Sequence, residues 1–241
     1  MPGFLGADNS PRQNIDLQQS LLITGDSVEA DLIRQASAEI CPYSVMLRRD
    51  FRSFKAFDLP ERADAALVLG YIKEAPPLPV VCISGQIYAP GVNMSVEEAG
   101  NSGTLPVDGT VWYVGARSFT EETERWARYN HRLLTAFELN LEDALKTSLA
   151  ELNGNACRLI LNVDILDPVW TPSLSRRFGF GFSPLELLRA FKCLEGANID
   201  SVQVCGVTRC ADVIAERETA RIAAELAREL SLTVFRSRLG K

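Results

Sequence analysis

The most concentrated chemistry in this 241-residue sequence lies at Asn162-Val163-Asp164-Ile165-Leu166-Asp167-Pro168-Val169-Trp170-Thr171-Pro172. An apolar run precedes it, so it reads as the end of a buried strand passing into a loop, with acids spaced to point into one pocket. Asp167-Pro168 suits a tight turn in which the aspartate accepts backbone hydrogen bonds. His131 is the only histidine, which excludes an HExxH arrangement and any site built on two imidazoles of one chain. It follows an Arg/Tyr-rich helix end, where a dipole-stabilised histidine is expected rather than a catalytic base. Gly115-Ala116-Arg117 either offers Arg117 to an anionic ligand or leaves it in a surface ion pair. The segment Phe178-Gly179-Phe180-Gly181-Phe182 suits core packing or a pocket lid; it lacks the lysine and the strand-to-helix setting of a phosphate cradle. The six cysteines, at 41, 82, 157, 193, 205 and 210, include no CxxC pair and sit mostly in apolar runs. Buried reduced thiols are expected, Cys205 among them, rather than disulfides or a zinc site.

Residues 1–20 are polar and aperiodic and read as a loose N-terminal arm. From Asp26 the apolar residues Val28, Leu32, Ile33, Ala36 and Ile40 recur at helical spacing, with Thr24 and Asp26 as cap candidates and Cys41-Pro42 as the stop. Short apolar runs predict strands at 44–47, 65–70, 79–84, 111–115, 157–164, 201–205 and 232–235; most are continuous, as in strands buried on both faces. Helices are predicted over 120–131, 140–152, 184–195 and 212–230. Ser183-Pro184-Leu185-Glu186 offers a capping box with proline at the first helical position, Gly196 a stop, and Asn140 and Asp212 further caps. Strands alternating with helices of this length predict one three-layer α/β/α domain over 21–241 with a mostly parallel sheet. Its long loops, 85–110 and 165–182, would gather at the strand ends where such sheets bind ligands.

Composition narrows the partners. The chain is 46% hydrophobic and carries 31 acidic against 25 basic residues, a formal net charge of −6. Basic residues occur singly or in pairs, so no stripe tracks a phosphate backbone and nucleic acid is not expected. The first residues lack a basic stretch followed by an apolar one, and no apolar run approaches the ~18 residues that span a bilayer. A cytoplasmic protein without membrane contact is expected.

The segment from Asn162 to Pro172 resembles the DxDxxDPxxxP signature of the ureohydrolase family: the arginases, agmatinases and formiminoglutamases. GFSPLELLRAFKCL resembles the helix that follows it, VWYVGARS the family's strand ending in a glycine-containing turn, and Gly100-Asn101-Ser102-Gly103 its GNxHG loop. The likeness runs over residues 65–235, and beside that family the N-terminus reads as several tens of residues short. It implies an arginase-like fold and hydrolysis of guanidino-type C–N bonds by a dinuclear manganese centre. The matched positions, however, hold other residues. The DAHxD ligand run corresponds to Ser84-Gly85-Gln86-Ile87-Tyr88, the first acid of the later signature is Asn162, and the substrate-binding glutamate falls at Gln203. GGDHS has no counterpart near Leu69-Gly70-Tyr71, and the GNxHG histidine is absent beside Ser102.

Asp164 is therefore the one matched carboxylate, with Asp167 near it, and the only residue we would assign to a metal. One carboxylate cannot offset the four positive charges of two Mn²⁺ ions. Neutral polar replacements suit a site that has lost its metal, because facing carboxylates repel. Ser84 and Ser102 have no histidine in the matched motifs to activate them. We therefore expect no dinuclear manganese and no catalytic residue. The expected cleft is lined by Ser84, Gln86, Tyr88, Ser102, Arg117, Asn162, Asp164 and Gln203 and takes a small molecule or a partner. The chain is expected to be a homo-oligomer or a regulatory subunit. Two rivals stand beside this: a C–N hydrolase with one divalent ion at Asp164, and an assembly protein with a collapsed cleft.

Overall fold

The computed structural model describes residues 21–24, 27–37, 51–53, 66–70, 78–88, 110–174 and 179–239. Their strands are β1 (Leu21–Thr24), β2 (Phe51–Ser53), β3 (Ala66–Leu69), β4 (Val80–Ile83), β5 (Val111–Ala116), β6 (Arg132–Thr135), β7 (Cys157–Asn162) and β8 (Ile199–Cys205). They form one eight-stranded sheet in the order β2-β1-β3-β8-β7-β4-β5-β6, and every pairing is parallel. The helices are α1 (Val28–Ser37), α2 (Glu121–Asn130), α3 (Leu141–Leu152), α4 (Pro184–Phe191) and α5 (Val213–Leu239).

The continuous apolar runs fill the centre of the sheet because both faces there are covered. One face presents Val81, Ile83, Leu159, Leu161, Val202 and Val204 to the side chains of α1, α3, α4 and α5. The other presents Val80, Cys82, Tyr113, Ile160 and Cys205, with Ala127 of α2 packed over them. This is the expected three-layer α/β/α arrangement.

Local signals set most boundaries. Ser183 and Glu186 form the reciprocal capping box at α4, and Asn140 caps α3 through its bond from the Asp143 amide. Asp212 Oδ1 takes the amides of Ile214 and Ala215 at the start of α5, and Gly196 turns the chain with φ +78°.

Several expectations are corrected. Ser27, not Thr24, caps α1: its Oγ accepts from Ala30 N at 3.1 Å, and Thr24 belongs to β1; Asp26 lies outside the described residues. The apolar quartet at 232–235 is not a strand but part of the 27-residue α5. Its buried members Val234 and Phe235 continue the helical stripe of Ala223, Ala227 and Leu230, so the period of the whole helix overrides the local run. β1, β2 and β6, each three or four residues long, were not expected. The N-terminal arm, the strand at 44–47 and Cys41 lie outside the described residues. Cys82, Cys157 and Cys205 are buried, Cys193 and Cys210 are partly covered, and none of these five forms a disulfide. Among the described residues no helix is long and apolar enough to cross a membrane.

Candidate functional site

β7 and β4 are neighbours in register, with Cys82 opposite Ile160 and Ile83 opposite Leu161. Their carboxyl ends therefore release Ser84 and Asn162 side by side. After Asn162 the chain winds into a single 3-10 turn, Val163–Ile165, which Asn162 caps by accepting the Asp164 amide on its Oδ1 at 3.0 Å. That turn swings the Asp164 side chain back over the end of β4.

Asp164 is 5% exposed, and its carboxylate is surrounded by donors from one segment. Ser84 Oγ donates to Oδ1 at 2.9 Å and lies 3.2 Å from Oδ2. Gly85 N donates to Oδ1 at 2.9 Å, Gln86 Nε2 to Oδ2 at 3.3 Å and Tyr88 Oη to Oδ2 at 2.8 Å. The hydroxyls are themselves satisfied as acceptors, Ser84 Oγ from Gln86 N and Tyr88 Oη from Asn162 Nδ2. Tyr113 Oη holds the backbone at Tyr88 by donating to its carbonyl at 2.7 Å. Burial pushes the Asp164 pKa above the ordinary carboxylate range, against the pull of the Gly85, Tyr88 and Ser84 hydrogen bonds and the Arg117 charge.

Two glycines let the chain approach this closely. A side chain on Gly85 would run into the Asp164 carbonyl and the Arg117 guanidinium. Gly206 adopts φ +102°, a region L residues rarely enter, and packs against the Asn162 side chain at the end of β8.

Arg117 reaches the backbone of the same turn. Nη1 donates to Ile165 O at 2.9 Å, Nη2 to Asp164 O at 2.8 Å and to Leu166 O at 2.9 Å, and Nε to Gly179 O at 3.3 Å. It staples the turn behind Asp164 from below, because three carbonyls of a tight turn converge where a planar fork can reach them. Burial lowers its pKa, opposed by the charges of Asp164 and Asp167. Asp167 does what the Asp-Pro turn implied, accepting the amides of Val169 and Gly181.

The structure thus gathers Ser84, Gln86, Tyr88, Asn162 and Asp164, with Arg117 against the backbone of the same turn. Ser102 lies outside the described residues. Gln203 does not join the cluster: it sits deeper in β8, opposite Ile160 and Val68, where its Oε1 accepts from Arg158 Nη2 at 3.0 Å and its Nε2 donates to Gly70 O at 2.9 Å. It is two residues short of the strand end, so its side chain reaches a neighbour on the sheet face rather than the mouth.

His131 is also corrected. It closes α2, but its Nδ1 accepts from Val111 N at 3.4 Å, its ring packs 4.6 Å from that of Trp126, and burial lowers its pKa. It is a neutral acceptor, not a dipole-stabilised cation.

Two polar residues escaped the sequence reading. Glu29 is buried on α1 and its Oε1 accepts the Val207 amide just past β8; no pattern of apolar spacing marks it. Arg158, the second residue of β7, is 2% exposed, and the signal was a lone basic residue in a largely apolar strand. Among the described residues no three His, Cys, Asp or Glu side chains gather as a metal-binding group.

Comparison with known proteins accords with this architecture. The structure superposes on proclavaminate amidino hydrolase from Streptomyces clavuligerus with a TM-score of 0.71 and 15% identity, covering 99% of this chain and 98% of that one. A hypothetical agmatinase from Burkholderia thailandensis gives 0.67 and 17% identity over 100% and 92% of the two chains. Formimidoylglutamase from Bacillus subtilis subsp. subtilis str. 168 gives 0.68 and 13% over 95% and 92%. At these identities the likeness speaks for the fold. No curated protein matches the sequence. The sequence profile of the Arginase family, however, matches residues 92–233, more than half of the chain, and by that measure this protein belongs to the Arginase family.

Proposed function

We propose that this chain is a member of the Arginase family that has lost dinuclear manganese hydrolysis and uses the old cleft to bind a small molecule or a partner protein. The observation that carries the reading is the Asp164 carboxylate itself. Both of its oxygens accept hydrogen bonds from the chain, through Ser84 Oγ, Gly85 N, Gln86 Nε2 and Tyr88 Oη. A carboxylate offers about four lone-pair sites, and these four donors occupy them, so a Mn²⁺ ion, which needs oxygen or imidazole lone pairs of its own, would have to displace them. The residues at the matched positions therefore do not fit the family's metal pair. Ser84, Gly85, Gln86 and Tyr88 satisfy the Asp164 carboxylate in place of cations, and Asn162 supports it by donating to the Tyr88 hydroxyl.

The solved relatives, an amidino hydrolase and a formimidoylglutamase among them, suggest the substrates to assay. Protein purified without chelator from manganese-supplemented medium is expected to carry no stoichiometric manganese. It is also expected to release no urea or ammonia from arginine, agmatine or formiminoglutamate above background. About two manganese ions per chain, the number a two-metal site requires, would overturn the reading. A single ion lost on replacing Asp164 with asparagine would support a one-metal C–N hydrolase instead. A cytoplasmic homo-oligomer or a regulatory subunit of a larger assembly is the setting we propose, and size-exclusion chromatography with light scattering tests the first of these.

A further inference from the structure

Below the Asp164 cluster, the same face of the sheet carries a second buried polar group of opposite sign. Arg158 lies two residues before Ile160 on β7, so alternation puts its side chain on the face of Cys82, Ile160 and Cys205. Its guanidinium is buried, and its one side-chain partner is a neutral amide: Nη2 donates to Gln203 Oε1 at 3.0 Å. Gln203 cannot turn away to offer more, because its Nε2 is held by Gly70 O. Nη1 is buried and has no hydrogen-bond partner. Among the described residues no carboxylate forms an ion pair with this arginine.

Arginine stays charged in proteins, so it cannot escape by losing its proton. The carboxylate whose charge acts on it is that of Asp200, on the neighbouring strand β8, without an ion-pair contact, whereas buried arginines are ordinarily paired directly. The flanking thiols do not supply an anion, since burial raises the Cys82 pKa far above neutrality. Nη1, buried and without a partner, can donate to an oxygen of a carboxylate, and such a charge-assisted bond is stronger than one to a neutral amide.

We propose that the Nη1 edge of Arg158 is a carboxylate-binding point on the sheet face beneath the Asp164 cluster, so that the ligand of this chain is a small organic acid rather than a cationic guanidino compound. The inference rests on the reading of the cleft as a binding site. It also gives a sense to the residue at 203: where the ureohydrolase resemblance calls for a glutamate to hold a cation, this chain has an uncharged Gln203 and its own guanidinium beside it.

The test is the melting temperature of the full chain at neutral pH in rising sodium formate or sodium acetate, with ionic strength held constant by sodium chloride. A saturable rise with formate and acetate, absent with chloride alone, is expected. Gln203→Glu places a carboxylate of the chain against Arg158. Because it also loses the bond from Nε2 to Gly70 O, the readout is the response and not the starting melting temperature: the formate response should weaken at least about tenfold, a difference of about one decade in dissociation constant. Arg158→Met, if it folds, should lose the response; if it does not fold, the Gln203→Glu arm decides. Equal shifts with chloride, no formate shift, or a shift that Gln203→Glu retains in full would each overturn the proposal. Metal content and hydrolysis are read separately, so manganese-dependent activity would remove the proposed function without altering the formate result, and the reverse also holds.

Discussion

Tyr88 donates its phenolic proton to Asp164 Oδ2 across 2.8 Å while accepting from Asn162 Nδ2 at 2.6 Å. One hydroxyl thus joins the ends of β4 and β7. Tyr88→Phe keeps the ring and removes the bridge, leaving the Asn162 amide without its acceptor and Asp164 without one of its donors. A loss of about 1 to 3 kcal/mol is expected, measured by urea unfolding at neutral pH; an unchanged midpoint and slope would mean that water replaces the phenol at no cost.

The raised pKa of Asp164 makes stability depend on pH. Its folded pKa lies above the unfolded value, so between the two the folded chain binds more protons than the unfolded one. Stability from this group is present below the unfolded pKa and is lost as pH rises through the folded pKa. Asp164→Asn should flatten that slope. Melting temperatures of both proteins across the acid range check it, and parallel profiles would show that Asp164 titrates normally.

Asn162→Asp should destabilise the fold. The new carboxylate oxygen would face the Tyr88 oxygen, whose proton already goes to Asp164, so two acceptors compete for one donor and two like charges meet without a cation between them. One of the acids must then hold a raised pKa. A penalty of about 1 to 3 kcal/mol is expected at neutral pH. It should shrink as pH falls through that raised value. Thermal melts at acidic and mildly alkaline pH, without divalent ions, read it; a mutant equal to the parent under alkaline conditions would contradict the geometry.

Arg117→Lys keeps the charge and loses the fork. The carbonyls of Asp164, Ile165 and Leu166 now share one guanidinium, and an ammonium on a flexible stem cannot reach all three in plane. About 2 to 3 kcal/mol should be lost, with faster hydrogen exchange at the Phe182 amide, which bonds Ile165 O. Equal stability of the lysine variant would assign Arg117 a purely electrostatic part.

The sequence marks what repeats. Continuous apolar runs identified β3, β4, β5, β7 and β8, and cap chemistry at Asn140, Ser183 and Asp212 placed the helix starts, because each depends on neighbours along the chain. The Asp164 cluster was readable only through family resemblance, which brought Ser84, Gln86, Tyr88 and Asn162 to one place. The hold of Arg117 on the turn was not legible because the carbonyls it binds lie 47 to 62 residues away, and Arg158 escaped notice because its partner is 45 residues away. Gln203 was put at the mouth for want of a register: its place opposite Ile160 is fixed by pairing of β7 with β8, not by its own surroundings. The 232–235 run failed for the opposite reason, a local preference overruled by the helix around it.

β8 is the last strand in the sequence, yet it stands between β3 and β7. Until residues 199–205 have been made, β2-β1-β3 and β7-β4-β5-β6 are two separate ribbons, each with an apolar open edge and neither able to close on the other. The final strand is a keystone inserted between finished walls. A growing chain therefore spends most of its synthesis with two unpaired inner edges exposed, and its folding should be late, slow and dependent on contacts far apart in sequence. Chains cut before Ile199 should be recovered as aggregates rather than as smaller folded units.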